Sequence, residues 1–261
     1  MIPMDQPKIA LITGASSGIG MASARWFAEQ GWSLVLWARR IERLRELQGA
    51  LMQQVGYRLE IWVDQVDVRS DSQVQRAFAS LPSSLQNVDL LLNNAGLSQG
   101  LNAVHESNPE DADRVLDTNI KGLVNVSRAV VPGMKMRGKG QVIHVSSTAG
   151  KEVYPGGGIY CASKFAVEAI AKTMRHELLP FGIKVGTVSP GMVETEFSLV
   201  RFKGDADRAA GTYQGLEPLH PEDVAEAIGF MASRPDHVQI ADLLLMPRAQ
   251  AGSGAVHRVE S

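Results

Sequence analysis

Short unbroken apolar runs alternate along the chain with longer stretches whose apolar positions recur at helical spacing. The runs fall at Lys8–Thr13, Ser33–Trp37, Leu59–Val66, Asp89–Asn93, Gln141–Val145, Ile183–Val188 and Val238–Met246. Such runs read as strands covered on both faces, as parallel strands are. Between them the pattern predicts helices. One runs through Trp26 and Phe27 and closes at Gly31; the next presents Ile41, Leu44, Leu47 and Leu51 on one face. A third extends from an N-cap at Ser70 through Leu81, and a long helical region covers Pro109–Arg137. The helix carrying Tyr160 runs to about Leu179 with Phe165, Ile170 and Met174 on its buried side, and Pro221–Ser233 starts with proline in its first turn. A segment of about 192–217 is irregular and charged (Arg201, Lys203, Asp205, Asp207, Arg208), and is expected to be a mobile cover over a substrate. The tail of about 248–261 is expected to be loosely held unless a neighbouring subunit binds it. The fold class is α/β: one doubly wound domain over 1–261, a seven-stranded parallel sheet with helices on both faces.

Composition narrows the functions. The chain has 261 residues, 44% of them apolar, enough for a substantial core. A net charge of -2 and the lack of a dense basic stripe argue against nucleic acid as a partner. Cys161 is the single cysteine, so no internal disulfide forms and no cysteine zinc site is expected. The six histidines are scattered, and His144 lies within a strand, where it reads as structural. Met1–Pro7 lacks the basic and apolar regions of a signal peptide. No apolar stretch approaches the roughly 18 residues of a membrane span. A soluble cytoplasmic protein is expected.

The chemistry gathers at strand ends. Thr13-Gly14-Ala15-Ser16-Ser17-Gly18-Ile19-Gly20 joins the first strand to its helix. Glycines there let backbone approach a pyrophosphate, and the helix start offers unpaired N–H groups, which makes the domain Rossmann-type. The spacing Gly-x-x-x-Gly-x-Gly differs from the more familiar G-x-G-x-x-G. An acidic residue for a ribose 2′-hydroxyl is expected at the end of the second strand. The sequence has Ala38-Arg39-Arg40 instead, which favours NADP over NAD because guanidinium groups bind a 2′-phosphate. Arg43 and Arg45 read as solvating the next helix. Asp67-Val68 ends the third strand, where an adenine would lie, and Asn94-Ala95-Gly96 follows the fourth with the small residues a ribose requires. Asn119, amid Leu116, Ile120 and Leu123, reads either as bonded to backbone or as part of an active-site polar relay. Ser147 stands at the carboxyl end of the fifth strand, and a loop with Pro155-Gly156-Gly157-Gly158 leads to Tyr160. Tyr160 and Lys164 share a helix face. A free tyrosine titrates near ~10, and a fixed positive charge beside it lowers that value. Pro190-Gly191 follows the sixth strand in a turn that would abut a nicotinamide.

With these residues in order from Lys8 to about Met246, the chain resembles the short-chain dehydrogenase/reductase family. A narrower likeness rests on Glu194–Ser198, Val200–Asp205, Val238–Asp242, Met246-Pro247 and Gln250. These resemble the NADP-dependent 3-hydroxy acid dehydrogenase branch, which acts on serine, allo-threonine and related acids. The resemblance implies that Gly14, Ser16, Ser17, Gly18, Ile19 and Gly20 cradle the cofactor phosphates and that Arg39 and Arg40 hold the 2′-phosphate. It implies that Asp67 and Val68 border the adenine, that Asn94, Ala95 and Gly96 border a ribose, and that Pro190, Gly191, Val193 and Thr195 meet the nicotinamide end. Tyr160 would be the acid/base. Lys164 would lower its pKa and bond the nicotinamide ribose, Ser147 would hold the substrate oxygen, and Asn119 would anchor a water linking Lys164 to solvent. Arg201 and Lys203, helped by Gln99, would anchor the substrate carboxylate, and no metal is needed. Branch members are usually tetramers, with the Pro109 and Tyr160 helices at the interface. Two other readings stand beside this one. One is a short-chain reductase of neutral ketones or aldehydes. The other is a non-catalytic NADP-binding regulatory protein, against which the intact Ser147, Tyr160 and Lys164 argue.

Overall fold

The computed structural model describes residues 7–55 and 59–259, so the reading of the first residues as lacking a signal peptide falls largely outside it. Seven strands form one parallel sheet: β1 Ile9–Thr13, β2 Ser33–Ala38, β3 Ile61–Gln65, β4 Leu90–Asn93, β5 Gly140–Val145, β6 Ile183–Pro190 and β7 Asp242–Leu245. Their order is β3-β2-β1-β4-β5-β6-β7. The chain therefore reverses direction across the sheet between β1 and β4, and a crevice opens there beyond the carboxyl ends of the strands.

Alternation along each strand divides the core into two layers. Ala10, Ile12, Leu34, Leu36, Leu90 and Leu92 pack under α1 (Gly18–Glu29), α2 (Ile41–Val55) and α9 (Pro221–Ala232). The intervening Leu11, Val35, Trp37 and Leu91 point the other way. They meet α3 (Asp71–Ala79), α5 (Leu123–Arg137) and α6 (Gly158–Leu178). Period-two exposure to two apolar layers is the reason the strands carry no polar alternation. Gly31 has φ of 79° and stands just past the end of α1, as its position after the helical pattern requires. Ser70 caps α3 by accepting from the Gln73 N–H.

Several elements depart from the sequence pattern. The third and seventh strands are shorter than Leu59–Val66 and Val238–Met246. The Pro109–Arg137 region begins as α4 (Pro109–Leu116) and passes through a π-helical turn at Asp117–Gly122 before α5. Phe165 lies on the open side of α6 at 43% exposure, while Ile170 and Met174 are half-buried. The covering segment is ordered by two short helices, α7 (Phe197–Arg201) and α8 (Ala206–Gly211), the second capped by Asp205 through the Arg208 N–H. The tail is strapped down within the same chain. The Gln250 side-chain Oε1 accepts from Met192 N at 2.9 Å, the Arg258 Nη2 donates to Thr212 O at 3.0 Å, and Val259 N donates to Gly215 O at 2.8 Å.

Candidate active site

The glycine turn after β1 forms the floor of the crevice. Gly14 has φ of 67°, and a Cβ there would lie 3.0 Å from Ala95 Cα, so neither the conformation nor the space admits a side chain. The Asn94 side chain donates to Thr13 O at 2.9 Å and Gly14 O at 3.3 Å, which ties the end of β4 to this turn. Asn94 is therefore an organiser of the loop as well as part of the wall. Ser17 caps α1 without a side-chain bond, leaving the first N–H groups of that helix to face the crevice. Gly20 packs inward against Gly14 and Asn94 and does not line the cavity.

A cavity of about 530 Å³ follows the strand ends. It is lined by Gly14, Ser16, Ser17, Gly18 and Ile19 at one wall and by Arg39, Arg40, Asp67 and Val68 at the far end. Asn94, Ala95, Gly96, Pro190, Gly191, Val193 and Thr195 complete the cofactor-sized groove toward Ser147, Tyr160 and Lys164. Asp67 is held by Arg69, whose Nη2 lies 2.6 Å from its carboxylate, and that hydrogen bond keeps the acid below its ordinary range. This donor set fits a 2′-phosphorylated dinucleotide: open amides at a helix start, backbone approach at Gly14 and two guanidinium groups at the adenosine end.

Ser147, Tyr160 and Lys164 meet at the inner end. The Ser147 Oγ accepts from Ala149 N at 3.1 Å and hydrogen-bonds Tyr160. The Lys164 Nζ donates to Val145 O at 2.8 Å and lies 5.8 Å from the Tyr160 ring centroid. Burial pushes the Tyr160 phenol up to about 12, while the charge of Arg201 and the Ser147 hydrogen bond pull it the other way. Burial also pushes Lys164 down to about 8. Lys164 lies beneath the same ring, 5.8 Å from its centroid. Desolvation dominates, and the leading opposing charge belongs to Arg201.

Arg201 reaches this centre from α7. Its guanidinium carbon lies 5.3 Å from the Tyr160 ring centroid and 5.0 Å from that of Phe197. One Nη2 donates to the Tyr154 hydroxyl at 3.1 Å, and the Nε is buried with no partner among the described residues. Lys203 and Gln99 are not brought in with it. Lys203 pairs with Asp111 at 2.7 Å on the outer side of the covering segment. The Gln99 amide donates to Val200 O at 2.8 Å, outside the cavity lining. Asn119 sits in the π-helical turn behind the site. Its side chain exchanges two 2.9 Å bonds with the Leu97 backbone and donates to Ser163 Oγ at 2.9 Å. The side-chain amide is thus committed to the Leu97 backbone and Ser163.

Other residues, given no individual role by the sequence, also line the cavity. Tyr154, Phe197 and Tyr213 wall the substrate end, and Gln250, Ser253 and Arg258 reach it from the tail. The Tyr213 hydroxyl bonds Ser198 Oγ at 2.8 Å and Val193 O at 2.8 Å, bracing the covering segment. Among the described residues, no three His, Cys, Asp or Glu side chains converge on a metal site, and no helix is long and apolar enough to cross a membrane.

The fold and this site define a nicotinamide-dependent dehydrogenase, and comparison with known proteins agrees. The short chain dehydrogenase model matches residues 8–205, and the chain belongs to that family. It is 42% identical over 252 residues to the NADP-dependent 3-hydroxy acid dehydrogenase YdfG of Escherichia coli K12, covering 96% of this chain and 99% of that one. It is 43% identical over 246 residues to sulfoacetaldehyde reductase 2 of Chromohalobacter salexigens, covering 94% and 96% of the two chains. The closed form of serine dehydrogenase complexed with NADP+ superposes with a TM-score of 0.89 at 42% identity, over 96% of this chain and all of the other.

Proposed function

We propose that the protein is an NADP-dependent oxidoreductase that interconverts a small 3-hydroxy acid, such as serine or allo-threonine, and its 3-oxo form. One observation carries the substrate class. Arg201 places a partly desolvated cation beside the acid/base Tyr160, with a buried Nε awaiting an acceptor. A substrate whose hydroxyl lies at Ser147 and Tyr160 then presents its carboxylate to Arg201 and Tyr154. Arginine in such a setting favours planar anions.

NADP, when bound, supplies hydride acceptance or donation at its nicotinamide ring. Ser16, Ser17, Arg39 and Arg40 are the residues fitted to its adenosine phosphates, and the amides that start α1 are fitted to the pyrophosphate. In oxidation Tyr160 takes the proton from the substrate hydroxyl, and in reduction it returns it. Ser147 holds that oxygen through its hydroxyl. Lys164 is set by the Val145 carbonyl beneath the tyrosine, where its charge favours the phenolate as water is excluded. We further infer a homotetramer in the cytoplasm. Supporting the assembly are the exposed apolar side chains Val124 and Phe165 on α5 and α6.

Arg201→Ala tests the assignment. The kcat/KM for a 3-hydroxy acid is expected to fall by about a hundredfold, as for loss of a desolvated charged hydrogen bond, with neutral secondary alcohols little changed. The same loss for both substrate types would make Arg201 a structural prop. Isethionate, a hydroxy sulfonate with its anion at the same two-carbon remove, belongs in the panel because one relative is a sulfoacetaldehyde reductase.

A further inference from the structure

The adenosine end of the groove holds a negative charge that the cofactor reading does not use. Glu196, the residue before α7, puts one carboxylate oxygen 2.8 Å from Arg40 Nη1 and the other 2.5 Å from Arg43 Nη1. The remaining nitrogens of Arg40 are also engaged. Its Nη2 donates to Ser17 Oγ at 2.8 Å and its Nε to Ser16 Oγ at 3.3 Å. Each nitrogen of the guanidinium best placed for a 2′-phosphate thus has a partner in the chain itself. The carboxylate stands in the same groove as Ser16, Ser17, Arg39 and Arg40.

We propose that Glu196 is an internal competitor for the 2′-phosphate of NADP and thereby sets how strongly the protein prefers NADP over NAD. The inference rests on the cofactor reading above. A 2′-phosphate carries up to two negative charges and needs the same donors. It binds either by displacing Glu196 from Arg40 or beside a like charge, and both lower its affinity. NAD, with a hydroxyl at that position, meets neither penalty. Arg43, which reads from the sequence as solvating its helix, instead helps to hold the competitor in place. Because Glu196 immediately precedes α7, its release also unfastens the start of the helix that carries Arg201. The two ion pairs are partly solvated, at 44% and 38% side-chain exposure, so each contributes little and the expected effect is several-fold rather than hundreds-fold.

The test is calorimetric titration of the full-length protein and of Glu196→Gln with NADPH and with NADH. The variant is expected to bind NADPH about three- to tenfold more tightly, with NADH affinity changed less than about twofold. Unchanged NADPH affinity would overturn the inference while leaving the cofactor assignment intact. A comparable loss with both cofactors would also overturn it, since the pair would then be a clasp closing over the bound dinucleotide. Wild-type protein that bound NADH as tightly as NADPH would instead remove the cofactor assignment, and the inference with it.

Discussion

Replacing Lys164 with methionine should favour the cofactor-free fold more at neutral pH than in alkaline solution. Lys164 is buried at 5% exposure and its ammonium titrates at about 8. An unfolded lysine titrates near 10.4. The gap of about 2.4 pH units corresponds to about 3 kcal/mol at ~1.4 kcal/mol per unit, which destabilises the fold while the group is protonated. The sign follows from proton binding. Between about pH 8 and 10.4 the unfolded chain keeps a proton that the folded chain has released, so wild-type stability rises with pH in that window. A methionine has no such slope. The loss of the 2.8 Å bond to Val145 O shifts the comparison by about 1–3 kcal/mol but does so equally at every pH. The stability of Lys164→Met relative to wild type should therefore fall by about 2–3 kcal/mol from pH 7 to pH 10. Urea unfolding followed by the fluorescence of the four tryptophans measures it. A difference that stays flat over that range would refute the claim that desolvation governs Lys164. The residue would then be an ordinary lysine whose head group finds water.

Two further predictions follow from the same centre. Tyr160→Phe should lower turnover by about a hundred- to ten-thousandfold with NADPH binding retained. A variant that kept most of its turnover would place the proton transfer elsewhere. Because burial holds the Tyr160 phenol up at about 12, the tyrosine is protonated at neutral pH. Oxidation, which needs the phenolate, should climb from pH 7 to 10, while carbonyl reduction, which needs the phenol, should hold level over the same range. An oxidation rate indifferent to pH in stopped-flow measurements would show that another group takes the proton.

The sheet was legible because its inner strands are buried on both faces, and an unbroken apolar run has few other meanings; the edge strands β3 and β7 are only partly covered, and they are shorter than their apolar runs. The glycine turn and the Ser147, Tyr160 and Lys164 centre were legible because they sit at strand ends or one helical turn apart. What stayed hidden depends on tertiary contact. The five-residue helix α7 is too short to show a period, and it is held by the Gly100 bond to Arg201 O and the Gln99 bond to Val200 O. Arg201 and Lys203 look equivalent in sequence. They diverge because the helix ends between them and Lys203 adopts φ of 54°, and its ammonium ends beside Asp111. Tyr154 lies in a loop without periodicity, and the tail shows no sign that Gln250 and Arg258 fold back over the covering segment. The upward push on the Tyr160 phenol was hidden for a related reason: spacing shows a cation one turn away, but burial, and the approach of Arg201 that opposes it, belong to the assembled site. The π-helical turn explains Asn119: the local widening lets its amide reach the Leu97 backbone, a geometry that helical periodicity does not encode.

The most direct measurement is the initial rate of reduced-nicotinamide absorbance with purified wild-type protein. NADP and NAD would each be offered with the stereoisomers of serine and threonine, 3-hydroxypropionate, 3-hydroxybutyrate, isethionate and simple secondary alcohols. The account predicts turnover with NADP, strongest among the anion-bearing hydroxy compounds and at most weak with the neutral alcohols. Faster turnover of neutral alcohols than of any anionic substrate would contradict it, and Arg201 would then be part of a lid rather than an anchor.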